Sequence, residues 1–119
     1  MIRVASSIAL ASVLGVSSAA SARPWLYVSG FTHSGNADTC LTAGKKALEK
    51  HGFSKELETD RYEGDSRQQG GFVEGRLANH AVVAVIECDS SEGLTTLGVS
   101  GLDNEMTYQK YKLLYDEKW

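Results

Sequence analysis

Two cysteines, Cys40 and Cys88, constrain the fold of this chain more than any other feature of its sequence. Cys40 lies on the apolar stripe of a helical pattern and Cys88 ends an apolar strand pattern, so both sulfurs can point into one helix–strand interface. A disulfide between them would close a loop of about 49 residues and stabilise the fold by roughly 4 kcal/mol. Their spacing is not C-x-x-C, and two cysteines alone do not make a zinc site. We therefore predict a structural Cys40–Cys88 disulfide, with a redox pair or a metal site as the alternatives.

The first 22 residues have the parts of an export signal. Arg3 supplies a positive charge, the apolar run 8–16 is too short to span a bilayer, and residues 20–22 read Ala-Ser-Ala, a small-x-small cleavage pattern. We expect cleavage between Ala22 and Arg23, which gives a signal peptide at 1–22 and one mature domain at 23–119. An uncleaved membrane anchor is the alternative. Export would place both cysteines where a disulfide forms and persists.

The mature chain would be small and acidic. Removing 22 of 119 residues leaves 97, the size of one small domain. Of the 12 Lys and Arg residues only Arg3 lies in the signal, so 11 remain against 15 Asp and Glu, a net charge of −4. Because nucleic acids and anionic membranes favour basic surfaces, neither is expected as the main partner.

Apolar periodicity predicts two helices and about four strands. The first helix begins at an N-cap, Asn36, and stops at Gly52, after which Phe53 can fold back on Leu48. The last helix is predicted to begin at Asp103 or Asn104 and to run to about Lys118. Strands are predicted at 25–32, 55–64, 81–88 and 94–101.

Two of the predicted segments bear on the sheet. The run 81–88 is almost continuously apolar, which indicates a central strand buried on both faces. The stretch 65–75, with paired glycines, predicts a loop or an irregular short strand around Phe72 and Val73. Hairpin-type connections then favour an α+β fold: a small two-layer sandwich with an antiparallel-rich sheet of about four strands and both helices on one face.

Several of these motifs together resemble a group of small exported bacterial proteins of unknown function. The shared pattern covers most of residues 36–115: a Cys-x-x-Ala-x-x-x-Ala-Leu helix from Cys40 that ends Gly-Phe, an apolar strand that ends Ile-x-Cys at Cys88, and Val-x-Gly at Gly101 before a last helix. The resemblance implies a bacterial origin, an envelope location and the same Cys40–Cys88 bridge. It brings no catalytic residues.

Histidines are the natural candidates for catalysis. His33 follows the first strand and His80 precedes the central one, and either could act as a general acid or base beside one of the arginines of the chain, which include Arg61, Arg67 and Arg76. Their spacing does not require such a site, so we expect surface histidines. A small secreted hydrolase that uses His33 or His80 remains the alternative. His51 is interpreted as a cation near a helix C-terminus.

Metal and cofactor motifs are not found in the sequence. Carboxylates cluster in the polar middle and beside Cys88, but they form no D-x-D-x-D-G calcium loop; they are Asp60, Glu63, Asp65, Glu87 and Asp89. A phosphate-binding glycine loop, a nucleophile elbow and an H-E-x-x-H run are also absent from the sequence. We therefore expect no metal and no cofactor.

Aromatic residues recur on the last helix at spacings of three and four: Tyr108, Tyr111, Tyr115 and Trp119. Such a stripe either packs on the sheet with its hydroxyls at the rim or forms a recognition surface. We predict a non-catalytic binding module of the bacterial envelope, periplasmic or secreted, whose partner is a protein or a small ligand. A purely structural envelope component is a third possibility.

Overall fold

A computed structural model of the chain describes residues 23–33 and 35–117. The predicted signal peptide with its cleavage residue Ala22, and the last aromatic residue of the stripe, Trp119, lie outside the described residues. No helix in the described part of the chain is both long enough and apolar enough to cross a membrane.

The described residues form a five-stranded antiparallel sheet and two α-helices. In chain order the elements are β1 (Trp25–Thr32), α1 (Ala37–Lys50), β2 (Lys55–Arg61), β3 (Gly70–Arg76), β4 (Val82–Asp89), β5 (Leu94–Gly101) and α2 (Asn104–Tyr115). The strand order across the sheet is β1-β5-β4-β3-β2. Strands β2 to β5 are thus a meander, and β1 is added at its far edge beside β5. The α+β prediction is confirmed, with five strands instead of about four.

Both helices pack on the same face of the sheet, as predicted. Helix α1 lies over β3 and β4, and α2 lies over β5 and β1. Along β4 and β5 buried residues alternate with partly exposed ones, because only one face of the sheet is covered. The core between the layers is apolar, and its fully buried members include Leu48, Phe53, Val73, Ala84, Ile86, Cys88, Leu97, Val99 and Leu114.

Helix α1 begins and ends where its capping residues predict. The Asn36 side chain accepts a hydrogen bond from the Thr39 backbone N–H at 2.8 Å, which satisfies one of the unpaired donors of the first turn. At the other end Gly52 has φ +88°, and the Phe53 N–H donates to the Leu48 carbonyl at 2.9 Å. This left-handed stop turns Phe53 back into the core, where it is fully buried.

A Cys40–Cys88 disulfide, with the two Cα atoms 6.1 Å apart, joins α1 to β4. One turn further along α1, Gly44 faces β4: a Cβ atom added there would lie 3.0 Å from Ile86 Cγ2. The bridge ties the helix to the strand, and the glycine leaves room for the two to pack closely one turn away.

The predicted short strand around Phe72 and Val73 is present within 65–75, but it is regular rather than irregular. A regular strand, β3, pairs with β2 on one side and with β4 on the other. Its glycines, interpreted from the sequence as turn residues, instead allow close approach. Cβ atoms at Gly70, Gly71 and Gly75 would collide with the backbone carbonyls of Cys88, Asp60 and Phe53, respectively. Glycine has a low strand propensity, so this sequence predicts a strand only weakly. The close approach of neighbouring backbone nevertheless requires glycine at these three positions.

The apolar strand β4 is central, as predicted, but it is not buried on both faces. Val82, Ala84 and Ile86 are buried under the helices, whereas Val83 and Val85 are only partly buried on the opposite face. We call that opposite side of the sheet the open face, because no described element packs on it. The run 81–88 is apolar except at Glu87 because the open face of this strand also carries valines.

Candidate interaction surface

Helix α2 is held against the sheet by its first turns. Asp103 caps it, with its carboxylate accepting the Met106 N–H at 2.9 Å, and Thr107 is fully buried below. Gly101, at the end of β5, allows this approach, since a Cβ there would collide with the Thr107 hydroxyl. The helix ends at Tyr115, before the predicted end near residue 118.

Three tyrosines of α2 and one tyrosine of β1 form a connected group of rings, in which Tyr108 and Tyr111 contact Tyr27 directly. Ring centroids are 5.3 Å apart for Tyr27 and Tyr108, 5.5 Å for Tyr27 and Tyr111, and 5.8 Å for Tyr111 and Tyr115. These distances are typical of interacting aromatic pairs. We call these four residues the tyrosine cluster. Phe31 of β1 extends the cluster, with its ring 5.9 Å from that of Tyr115.

Hydrogen bonds fix the inner half of the tyrosine cluster. The Tyr27 hydroxyl donates to the Asn104 side chain, and the Tyr111 hydroxyl shares a hydrogen bond with Ser29. Tyr111 is therefore held on the sheet with its hydroxyl occupied, the packed arrangement that was one of the two interpretations of the stripe.

The outer half of the tyrosine cluster remains accessible. Tyr108 is 47% exposed and Tyr115 is 46% exposed, although both rings contact other members of the cluster. Lys112 lies beside Tyr115, with its Nζ 5.2 Å from the ring centroid. The stripe therefore divides between the two interpretations: one tyrosine packs, and two present half of their surface to solvent.

Exposed apolar side chains continue from the tyrosine cluster along β1. Trp25 is 50% exposed on the helix face, while Leu26 and Val28 are 65% and 57% exposed on the open face. Sequence reasoning missed Tyr27 as part of the site, although the two-residue period of β1 places it on the same face as Ser29 and Phe31. The missing information was that β1 lies below α2.

His33 is bound into the fold at one end of the sheet. Its Nδ1 lies 2.8 Å from the Thr95 hydroxyl, which in turn lies 3.3 Å from Cys40 Sγ. No described residue hydrogen-bonds to its Nε2. At this end of the sheet Arg61 is also occupied, since it pairs with Asp38 at the start of α1.

His80 lies at the other end, exposed in the loop before β4. It lines an open groove of about 530 Å³ together with Lys55 and Arg76. Glu56 and Glu74 pair with Arg76 at 3.0 and 3.3 Å, so they offset part of the positive charge of the groove. Because β4 separates the two histidines by seven or more residues at ~3.3 Å each, they cannot share one site.

The carboxylates beside Cys88 are used in local hydrogen bonds. Asp89 accepts from the Ser91 hydroxyl at 2.6 Å, and this bond is the main cause that lowers the pKa of Asp89. Glu87 on the open face accepts from the Tyr62 hydroxyl; burial and, next, that bond raise the pKa of Tyr62. No group of three or more potential metal-ligating side chains occurs in the ranges 23–33 and 35–117.

The tyrosine cluster is therefore the best candidate site, because it brings together side chains of α2 and β1. The two histidines lie at opposite ends of the sheet, and the carboxylates beside Cys88 accept hydrogen bonds from nearby hydroxyls. His51 also has a structural contact, since its Nε2 lies 2.7 Å from the Glu117 carboxylate. Comparisons of the chain with protein-family models, with curated proteins and with solved structures found no match.

Proposed function

We propose that this chain is an exported, non-catalytic interaction module that recognises a protein partner through the tyrosine cluster. The observation that carries the proposal is that Tyr108 and Tyr115 are half exposed while their rings are already ordered against Tyr27 and Tyr111. Aromatic side chains with polar tips dominate the energetic centres of protein interfaces. Rings held in place before binding lose little conformational entropy on contact, so they favour affinity.

An exported location, periplasmic or secreted, fits the same proposal. The disulfide links two elements of a small domain, and such bridges form and persist in oxidising compartments. The N-terminal pattern at 1–22 and the resemblance to exported bacterial proteins point to the same location. A reporter protein fused after Arg23 tests the exported location. We expect the reporter to be exported, and export to be lost when charged residues interrupt the apolar run 8–16.

A protein partner agrees better with the geometry than a small ligand does. Small-molecule sites are concave and enclose most of the ligand. The groove at His80 and a second groove along α1 are lined by residues outside the tyrosine cluster. The exposed apolar surface instead extends from α2 along β1 to Trp25 and Val28, the arrangement of a patch that contacts another protein.

Affinity capture from envelope extract tests the proposal. The bait would be the oxidised domain 23–119, compared with a double variant, Tyr108→Ser with Tyr115→Ser, which keeps Tyr111 on the sheet. Leu113→Ser is the matched control, because Leu113 is also 47% exposed but lies on another side of α2. We expect the control to retain the captured protein and the double variant to lose it. Equal capture by all three baits would overturn the proposal.

A further variant addresses the hydrolase alternative. Replacing His33 and His80 with Ala leaves the tyrosine cluster unchanged, so capture should persist. The wild type and this variant would be assayed with a chromogenic ester, phosphodiester and glycoside. Turnover by the wild type that is lost in a variant with an unchanged melting curve would contradict the non-catalytic assignment.

A further inference from the structure

We infer that the outer edge of β1 pairs antiparallel with β1 of a second copy of this chain, so that two sheets join into one ten-stranded sheet. The inference rests on the proposed function, since it names a second copy as a protein that the tyrosine cluster contacts. It is carried by a different observation, the backbone of the edge strand.

The register of β1 shows which backbone groups the edge presents. The His33 N–H donates to the Gly93 carbonyl at 2.9 Å, which continues the pairing of β1 with β5. Hydrogen-bonded pairs recur at every second residue of an antiparallel ladder, so the odd-numbered residues of β1 bond to β5. The N–H and C=O groups of Leu26, Val28, Gly30 and Thr32 therefore point outward. No strand in the described part of the chain pairs with them.

The two edges of the sheet differ in how they are protected against pairing. The opposite edge, β2, reads KELETDR, and its register with β3 shifts between Lys55 and Glu58, where Glu56 has φ +50°. Charges and a bulge are the usual devices that prevent edge-to-edge pairing. Strand β1 has neither: it contains no charged residue, and its register with β5 is regular over all eight residues.

Charge selects a second copy as the occupant. A two-fold axis sets each strand against itself, so like charges on a self-pairing strand would face one another and repel. The segment Trp25–Thr32 is uncharged and meets no such cost. Pairing of β1 with β2 of another copy would instead place five charged residues against apolar ones, and it would build an open filament rather than a closed dimer.

One register satisfies every outward group. With the two-fold axis at Ser29, Leu26 faces Thr32 of the second copy and Val28 faces Gly30, in both directions. These four pairs form eight backbone hydrogen bonds. On the helix face Tyr27 then lies opposite Phe31 of the second copy, and the two α2 helices face one another with Tyr108 and Tyr115 between them.

The area is sufficient for a weak dimer. Five side chains of each copy lie along this edge with about half of their surface exposed: Trp25, Leu26, Val28, Tyr108 and Tyr115. At on the order of 100 Å² for each, covering them buries on the order of 1,000 Å² in both copies together. This is the lower limit for a specific interface, so we expect a dissociation constant in the micromolar range.

Sedimentation equilibrium of the oxidised domain 23–119, from about 1 µM to about 1 mM, measures this association. Val28→Pro removes one outward N–H and no hydrogen bond to β5, so it should fold and raise the dissociation constant at least about 100-fold. Val28→Thr, which keeps the N–H, should dimerise like the wild type. A second pair guards against misfolding by proline: Val28→Lys should be monomeric, whereas Ser100→Lys, on the same face of the inner strand β5, should not.

The two proposals fail separately. A wild type that stays monomeric up to about 1 mM overturns the pairing of β1, while tyrosine-dependent capture of another protein would leave the proposed function standing. A dimer that persists in both Val28→Pro and Val28→Lys also overturns it. If the dimer depends on Val28 but not on Tyr108 and Tyr115, the edge pairing is supported and the role of the tyrosine cluster is not.

Discussion

The Tyr111 hydroxyl on α2 shares a hydrogen bond with the Ser29 hydroxyl on β1, and this bond fixes the last helix to the edge strand. Both hydroxyls are partly buried, so removing one leaves the other without a hydrogen-bond partner and lowers the stability of the fold. Tyr108, three residues away, is exposed and its hydroxyl has no described hydrogen bond. The two tyrosines therefore differ in what their hydroxyls contribute to stability.

Tyr111→Phe should lower the free energy of unfolding by about 1 kcal/mol, because the ring stays packed and only the hydrogen bond is lost. Tyr108→Phe should leave it within about 0.5 kcal/mol of the wild type. Urea unfolding followed by far-UV circular dichroism measures both values. Equal effects of the two substitutions would contradict the assignment of Tyr111 as the anchored member of the cluster.

Removal of the disulfide should lower the free energy of unfolding far more than Tyr111→Phe does. Replacing Cys40 and Cys88 with Ala opens a loop of about 49 residues and should lower the free energy of unfolding by roughly 4 kcal/mol. For a domain of this size that corresponds to a fall in Tm of on the order of 15–30 °C. Thermal melts with and without reductant provide the check: reductant should destabilise the wild type and leave the double variant unchanged.

The glycines of β3 should prove intolerant of even one methyl group. A Cβ at Gly71 would collide with the Asp60 carbonyl of β2, so Gly71→Ala should lower the free energy of unfolding by about 1–3 kcal/mol. Gly98 is the control: it lies on the open face, and a Cβ there would meet no atom within 4 Å. Gly98→Ala should be neutral or stabilise by up to about 1 kcal/mol. A destabilised Gly98 variant with an unaffected Gly71 variant would show that close approach is not the reason for glycine in β3.

The ends of the two helices are joined by an acid-sensitive contact. Glu117 accepts from His51 at 2.7 Å and from Lys50 at 2.9 Å, and these bonds, His51 first, lower the pKa of Glu117 below its ordinary 4.5. Because its pKa is lowered in the folded state, the carboxylate stabilises the fold above pH 4.5, and this contribution is lost as the pH falls through the folded-state pKa.

Glu117→Gln should therefore destabilise the protein at neutral pH and have no effect at low pH. Urea unfolding at several values between about pH 3 and about pH 6 measures the difference between variant and wild type. Asp116→Asn is the control. Asp116 is exposed, and its ion pair with Lys112 is long, at 3.6 Å, so its loss should have little effect. A Glu117→Gln difference that stays constant over this range would contradict the mechanism.

Sequence reasoning located the elements whose signals are local. The caps of α1, Asn36 and Gly52, lie within a few residues of the bonds they complete, and the partner of Cys40 was identifiable because only two cysteines exist. Strand β3 was predicted only as an alternative to a loop, because its glycines are explained by carbonyls of β2, β4 and the Phe53 segment, none of which is adjacent in sequence. The neighbourhood of Tyr27 was missed for the same reason, since it depends on β1 and β5 being neighbours.

The position of β1 also sets the order in which the domain can be completed. Trp25 pairs with Gly101, so β1 has no sheet neighbour until β5 exists. The meander β2 to β5 and the α1–β4 bridge need only residues that follow β1, and Cys88 precedes β5. Contacts this distant in sequence form slowly. A nascent chain therefore carries WLYVSGFT, a strand without charged residues, unpaired until β5 has been synthesised, and we expect this segment to be prone to association during that interval.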